Sequence, residues 1–118
     1  MYSEEIRPYK EERPWGNFIQ FSKNQTSTVK IITVNPNQTL SLQSHKNRSE
    51  FWRVLDGDGM VTIDEKIMPA TQGAEFFIPK NTKHRISAKE NGVRFLEIAL
   101  GDFDENDIER FADEYGRA

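Results

Sequence analysis

The feature that most narrows the folds open to this chain is its rhythm: short runs rich in β-branched and aromatic residues, each stopped by a turn signal too soon for a helix. The run Thr28-Val29-Lys30-Ile31-Ile32-Thr33-Val34 ends at Asn35-Pro36-Asn37, where proline presets φ for a turn. Similar runs cover 40–45, 50–55, 60–64, 65–68, 74–78, 84–88 and 94–100. Between them lie Asp56-Gly57-Asp58-Gly59, Gln72-Gly73, Pro79-Lys80-Asn81 and Glu90-Asn91-Gly92. Short strands at close, even spacing predict an all-β barrel over 28–100. A charged, proline-containing arm over 1–15 precedes it, with Arg13-Pro14-Trp15-Gly16 as a turn leading into the alternating Phe18 and Gln20. Only the end of the chain departs from the strand rhythm. There Asp104 is a plausible N-cap with Asp107 at its third position, and Ile108, Phe111, Ala112 and Tyr115 recur at helical spacing, predicting a short helix over 104–115.

The 118 residues suit one domain, and eight Phe, three Tyr and two Trp supply bulky apolar groups for a core. Trp15 and Trp52 read as core or barrel-end aromatics. A formal charge of -3 gives no electrostatic reason to expect a nucleic acid or an anionic membrane as partner. The residues from Met1 to Glu5 lack the basic and apolar regions of a secretion signal, and no apolar run is long enough to span a bilayer, so a cytoplasmic protein is expected. Without cysteine, any metal ion must be held by nitrogen and oxygen donors.

Such donors are available around the two histidines. On a strand, Gln43 and His45 point the same way, and Glu50 can return on the next strand to meet them. His84 follows a strand and a proline turn. Two neutral imidazoles, a carboxylate and an amide oxygen would leave a divalent ion with a net charge of about +1 and open positions for water or substrate. That donor set suits zinc, manganese, iron, cobalt or nickel alike. A hydrogen-bonded polar interior holding no ion is the alternative on the residues alone.

The spacing of these residues resembles that of the cupin superfamily. Gln43, His45, Glu50 and Gly57 fit its first motif with glutamine replacing the first histidine, and Gly73, Pro79, Asn81, His84 and Ala88 fit its second, with Asn81 and Ala88 as departures. Asn81 can adopt the positive φ that glycine would supply there. A closer resemblance, from Arg13 to Arg117, is to the C-terminal cupin domain of type II mannose-6-phosphate isomerases. It is carried by Arg13-Pro14-Trp15-Gly16, by Leu40-Ser41-Leu42-Gln43-Ser44-His45-Lys46-Asn47-Arg48-Ser49-Glu50-Phe51-Trp52, by Ile78-Pro79 with His84-Arg85, and by Asp113-Glu114-Tyr115-Gly116-Arg117. Phe51 stands where that family usually has histidine. As the neighbour of Glu50 on a strand, it is expected to face away from the metal.

The resemblance implies a double-stranded β-helix, one divalent metal ion on Gln43, His45, Glu50 and His84, and interconversion of mannose 6-phosphate and fructose 6-phosphate, in a homodimer as many cupins form. The exchange needs a polarised carbonyl, a base moving a proton between C1 and C2, and cations for the phosphate. Arg48, Lys83 and Glu97 are the expected catalytic residues, Glu97 as a base whose pKa burial would raise. Arg48, Lys83, Arg85, Tyr115 and Arg117 are the expected substrate contacts. Each cation reads equally as a solvated surface charge, and Tyr115 as the helix's last apolar contact. No Gly-rich phosphate loop occurs, so the nucleotide-sugar synthesis of longer relatives is not expected. Two rival functions share the donor set: a non-haem iron dioxygenase, and a sugar-binding or regulatory cupin without turnover, which Phe51 and Ala88 would favour.

Overall fold

The computed structural model describes residues 6–113 and 116. Among them every regular element is a strand and every pairing is antiparallel. No helix in this part is long and apolar enough to cross a membrane. Strands β1 (Tyr9–Arg13) and β2 (Gly16–Gln20) form a two-stranded hairpin. The expected arm is thus the first half of a hairpin. Its turn leaves Trp15 74% exposed rather than in a core or at a barrel end.

A seven-stranded sheet contains β3 (Ser27–Val34), β4 (Leu42–Ser44), β5 (Arg48–Ile63), β6 (Lys66–Thr71), β7 (Glu75–Ile78), β8 (His84–Gly101) and β9 (Glu109–Ala112). The long pair β5 and β8 is its spine. Residues 48–54 of β5 run against 95–101 of β8, and 59–63 run against 84–88. The two segments have different outer neighbours: β7 and β3 flank the first, β6 and β4 the second. The chain has the all-β, double-stranded β-helix architecture expected.

Two further expectations fail, each for an identifiable reason. The signals at 56–59 and 90–92 do not end strands. They mark irregularities in register between Val54 and Asp56 and between Gly57 and Gly59, where β5 and β8 bend together without parting. Glycine is required there: Gly57 has φ 90°, and a Cβ on it would collide with the carbonyl oxygen of Gly92. The C-terminal helix over 104–115 is absent among the described residues. Asp104 Oδ1 accepts the Asn106 N–H at 2.9 Å and its carbonyl accepts that of Asp107 at 3.0 Å, so the capping signal closes a turn. The chain then extends, because β9 finds a partner edge on β4.

Side chains on β5 and β8 alternate between two apolar clusters. Facing inward, Trp52, Val54, Val61, Ile86 and Phe95 form the larger core with Val34, Phe76, Ile78 and Ala88. Facing outward, Phe51, Ile98 and Leu100 pack with Ile6 under Phe21. Phe51 and Phe21 ring centroids are 5.6 Å apart, which places Phe51 on the sheet face opposite to its neighbour Glu50.

Candidate metal centre

His45, Glu50 and His84 converge at one end of the inward face, and one ligand atom from each lies within 4.8 Å of the others. All three are buried, Glu50 to 1% and His84 to 0% exposure. Glu50 lies on β5 between its neighbours β7 and β8, His84 opens β8, and His45 follows β4 directly. The His45 Nε2 and His84 Nε2 atoms each stand 3.5 Å from a different Glu50 oxygen, too far for a good hydrogen bond.

The tautomers suit a cation. His45 Nδ1 lies 2.7 Å from the carbonyl oxygen of Asp107, and His84 Nδ1 lies 2.8 Å from that of Thr82, so both Nδ1 atoms donate a proton to backbone. Each Nε2 therefore carries its ring's lone pair, that of His84 on the side of Glu50 and that of His45 between Glu50 and the Arg48 guanidinium. His84 Nε2 is buried with no hydrogen-bond partner among the described residues. A buried nitrogen lone pair left unsatisfied beside a second imidazole and a carboxylate is what a divalent ion would complete, and the residues present fit one. Burial is the main reason the His45 pKa is lowered, which keeps that ring neutral and able to ligate.

Gln43 is half-buried on the same face. It is the direct antiparallel partner of His84, and its Oε1 accepts the Ser41 hydroxyl at 2.9 Å. An amide oxygen keeps a second lone pair for another partner.

Four further groups surround the donors. Arg48 Nε donates to Glu50 Oε2 at 3.0 Å, Nη2 to His45 Nε2 at 3.2 Å and Nη1 to the Asp104 carbonyl at 3.2 Å, while its guanidinium lies 4.4 Å from the Phe103 ring centroid. The Trp52 indole N–H donates to Glu50 Oε1 at 3.2 Å, and its ring meets His84 edge-on. Glu97, opposite Trp52 in the register, is buried on the inward face beside Glu50. Burial first, then the charge of Glu50 and a hydrogen bond to it, push the Glu97 pKa up to about 8. Glu50 is held well below the usual carboxylate range against the effect of its burial, with the hydrogen bond from the Glu97 carboxyl among the causes. Asp107, the fourth, accepts the Lys46 and Asn47 N–H groups at 2.9 Å each, tying the turn after β4 to the segment that holds His45.

The other expected site residues lie apart from this cluster. Lys83 is exposed, with its ammonium 4.2 Å from the Phe111 ring centroid. Arg85, next to His84 on β8, donates to the Leu40 carbonyl at 3.2 Å. Tyr115 and Arg117 lie outside the described residues. Asp107 was absent from the expected set because its spacing from Asp104 read as a helix cap. Asn81 has φ 60°, as its glycine-like position required, and its N–H donates to the His45 carbonyl at 2.7 Å.

The family model described as mannose-6-phosphate isomerase C-terminal matches residues 3–113. The chain belongs to that family. It is 39% identical over 109 residues to the xanthan biosynthesis protein XanB of Xanthomonas campestris, and 38% identical over 107 to the alginate biosynthesis protein AlgA of Pseudomonas putida. Each alignment covers 89% of this chain but only 23% and 22% of those proteins, so the chain spans less than a quarter of their length. Family members of this kind carry the matching region as the C-terminal part of a larger protein. Among solved structures, a cupin protein from Bacteroides fragilis superposes with a TM-score of 0.59 at 24% identity, over 69% of this chain and 74% of that one. The fold is that of the cupins.

Proposed function

We propose that this family member is a metal-dependent sugar-phosphate isomerase that interconverts mannose 6-phosphate and fructose 6-phosphate. The observation that carries the reading is the pair of imidazoles whose Nε2 atoms face one buried carboxylate while both Nδ1–H groups are held by backbone carbonyls. The match to the isomerase family model supports the choice of substrate. His45, Glu50 and His84, with Gln43 beside them, would hold a divalent ion, which supplies Lewis-acid polarisation of a sugar carbonyl.

The chain's own groups do the rest. Arg48 and Trp52 hold the Glu50 carboxylate in place through two hydrogen bonds. Glu97 faces the same interior and is the group we assign to moving a proton between C1 and C2 of the sugar. Phe51, packed on the outer face, leaves the donor set untouched. The two-histidine, one-carboxylate set also fits an iron dioxygenase, which would consume oxygen on a substrate.

In a coupled assay with manganese or zinc, the purified chain is expected to form fructose 6-phosphate from mannose 6-phosphate, with Glu97→Gln slowing turnover at least 100-fold at unchanged metal content. No product with any divalent metal would sink the isomerase reading.

A further inference from the structure

We propose that Arg110, on β9, anchors the phosphoryl group of the substrate. This rests on the sugar-phosphate reading above and adds to it the residue that recognises the anionic end. Arg110 is the direct antiparallel partner of Gln43, and Gln43 is that of His84. Direct partners in a sheet share a face, so His84, Gln43 and Arg110 form one row across β8, β4 and β9. The face is the inward one, because His84 is fully buried and Ser41 and His45, two residues either side of Gln43, are buried as well. Their Cα atoms span two interstrand spacings, about 10 Å. A sugar phosphate lying along that row would have its carbonyl end at the histidines and its phosphate at the guanidinium.

Arg110 is half-buried, and its Nε–H is buried with no hydrogen-bond partner among the described residues. A desolvated guanidinium N–H without an acceptor is unfavourable, and an anion taken in by its planar fork would satisfy it. The three cations that the sequence set beside the donors are less suited. Arg48 is committed to the donors themselves, its Nε to Glu50 and its Nη1 to the Asp104 carbonyl. Lys83 is exposed against Phe111, and Arg85 is bonded to the Leu40 carbonyl from the position next to His84, on the other face. Glu109, next to Arg110 and so on the other face of β9, pairs with Ser44 and is exposed.

The test is calorimetric titration of the manganese-loaded full chain with mannose 6-phosphate and with mannose, for the native protein, Arg110→Gln and Arg110→Lys. Arg110→Gln is expected to weaken mannose 6-phosphate binding at least tenfold while metal per chain, thermal midpoint and mannose binding hold. Arg110→Lys should recover part of the loss. If Arg110→Gln does not fold, Arg110→Lys is read alone, and a severalfold weakening is expected of it. Unchanged mannose 6-phosphate binding in the folded variant overturns the assignment, as does a native chain that binds the two sugars equally. Native chain that binds mannose 6-phosphate through Arg110 yet forms no fructose 6-phosphate would sink the isomerase reading and leave Arg110 in place. Normal turnover with an unchanged KM in Arg110→Gln would do the reverse.

Discussion

The spine of β5 and β8 buries side chains along its inner face, but the two ends of that face do different work. Toward Val61 and Ile86 every buried side chain is apolar, and the burial itself stabilises the fold. Toward Glu50 and His84 the same face, with His45 brought in after β4, buries a carboxylate, two imidazoles, a guanidinium and a second carboxyl. Burying such groups costs free energy unless each finds a partner, and His84 Nε2 finds none among the described residues. Trp52 joins the two ends: its ring packs on Phe95 at 4.6 Å between centroids, and its N–H reaches Glu50. The contrast sets one end apart as scaffold and the other as a group of donors that could hold a metal ion.

Breaking the apolar end should have the largest effect. Phe95→Ala removes a fully buried ring and is expected to cost about 3–5 kcal/mol of stability, read from the urea midpoint. Loosening the support of the polar end should act on binding more than on folding. Asp107→Ala frees the Lys46 and Asn47 amides and relaxes the carbonyl on His45, so metal affinity should fall roughly 10- to 100-fold while stability drops by about 1 kcal/mol. The smallest effect at the donors is expected from Phe51→His, which restores the residue usual in the family. It sits in the outward cluster, so metal content should not change, although about 1–3 kcal/mol of stability should be lost. A gain or loss of metal in that variant would erase the distinction between the two faces.

How much of this was legible beforehand follows the range of the forces involved. Gln43, His45 and Glu50 were readable because strand alternation and a short return are local rules. Glu97 was readable because it lies between Leu96 and Ile98 on a strand, which turned them outward and the carboxyl in. The glycines at 57 and 59 misled because a bulge and a turn demand the same backbone freedom, and only the pairing with β8 separates them. Asp104 and Asp107 misled because a capping aspartate closes a turn as readily as a helix, and the free edge of β4 drew the chain into a strand. Arg110 carried no signal of its own, since its place opposite Gln43 depends on that unforeseen pairing.

The central claim, that the polar end is a metal centre, is tested most directly by loading the chain with manganese or zinc, desalting it, and measuring metal per chain with the thermal midpoint. The native chain should retain one ion, and free metal at 100 times Kd should add about 2.7 kcal/mol of stability. Glu50→Gln should retain none and show no such gain. A native chain that retains no metal, or a Glu50→Gln chain that retains as much, would contradict the account.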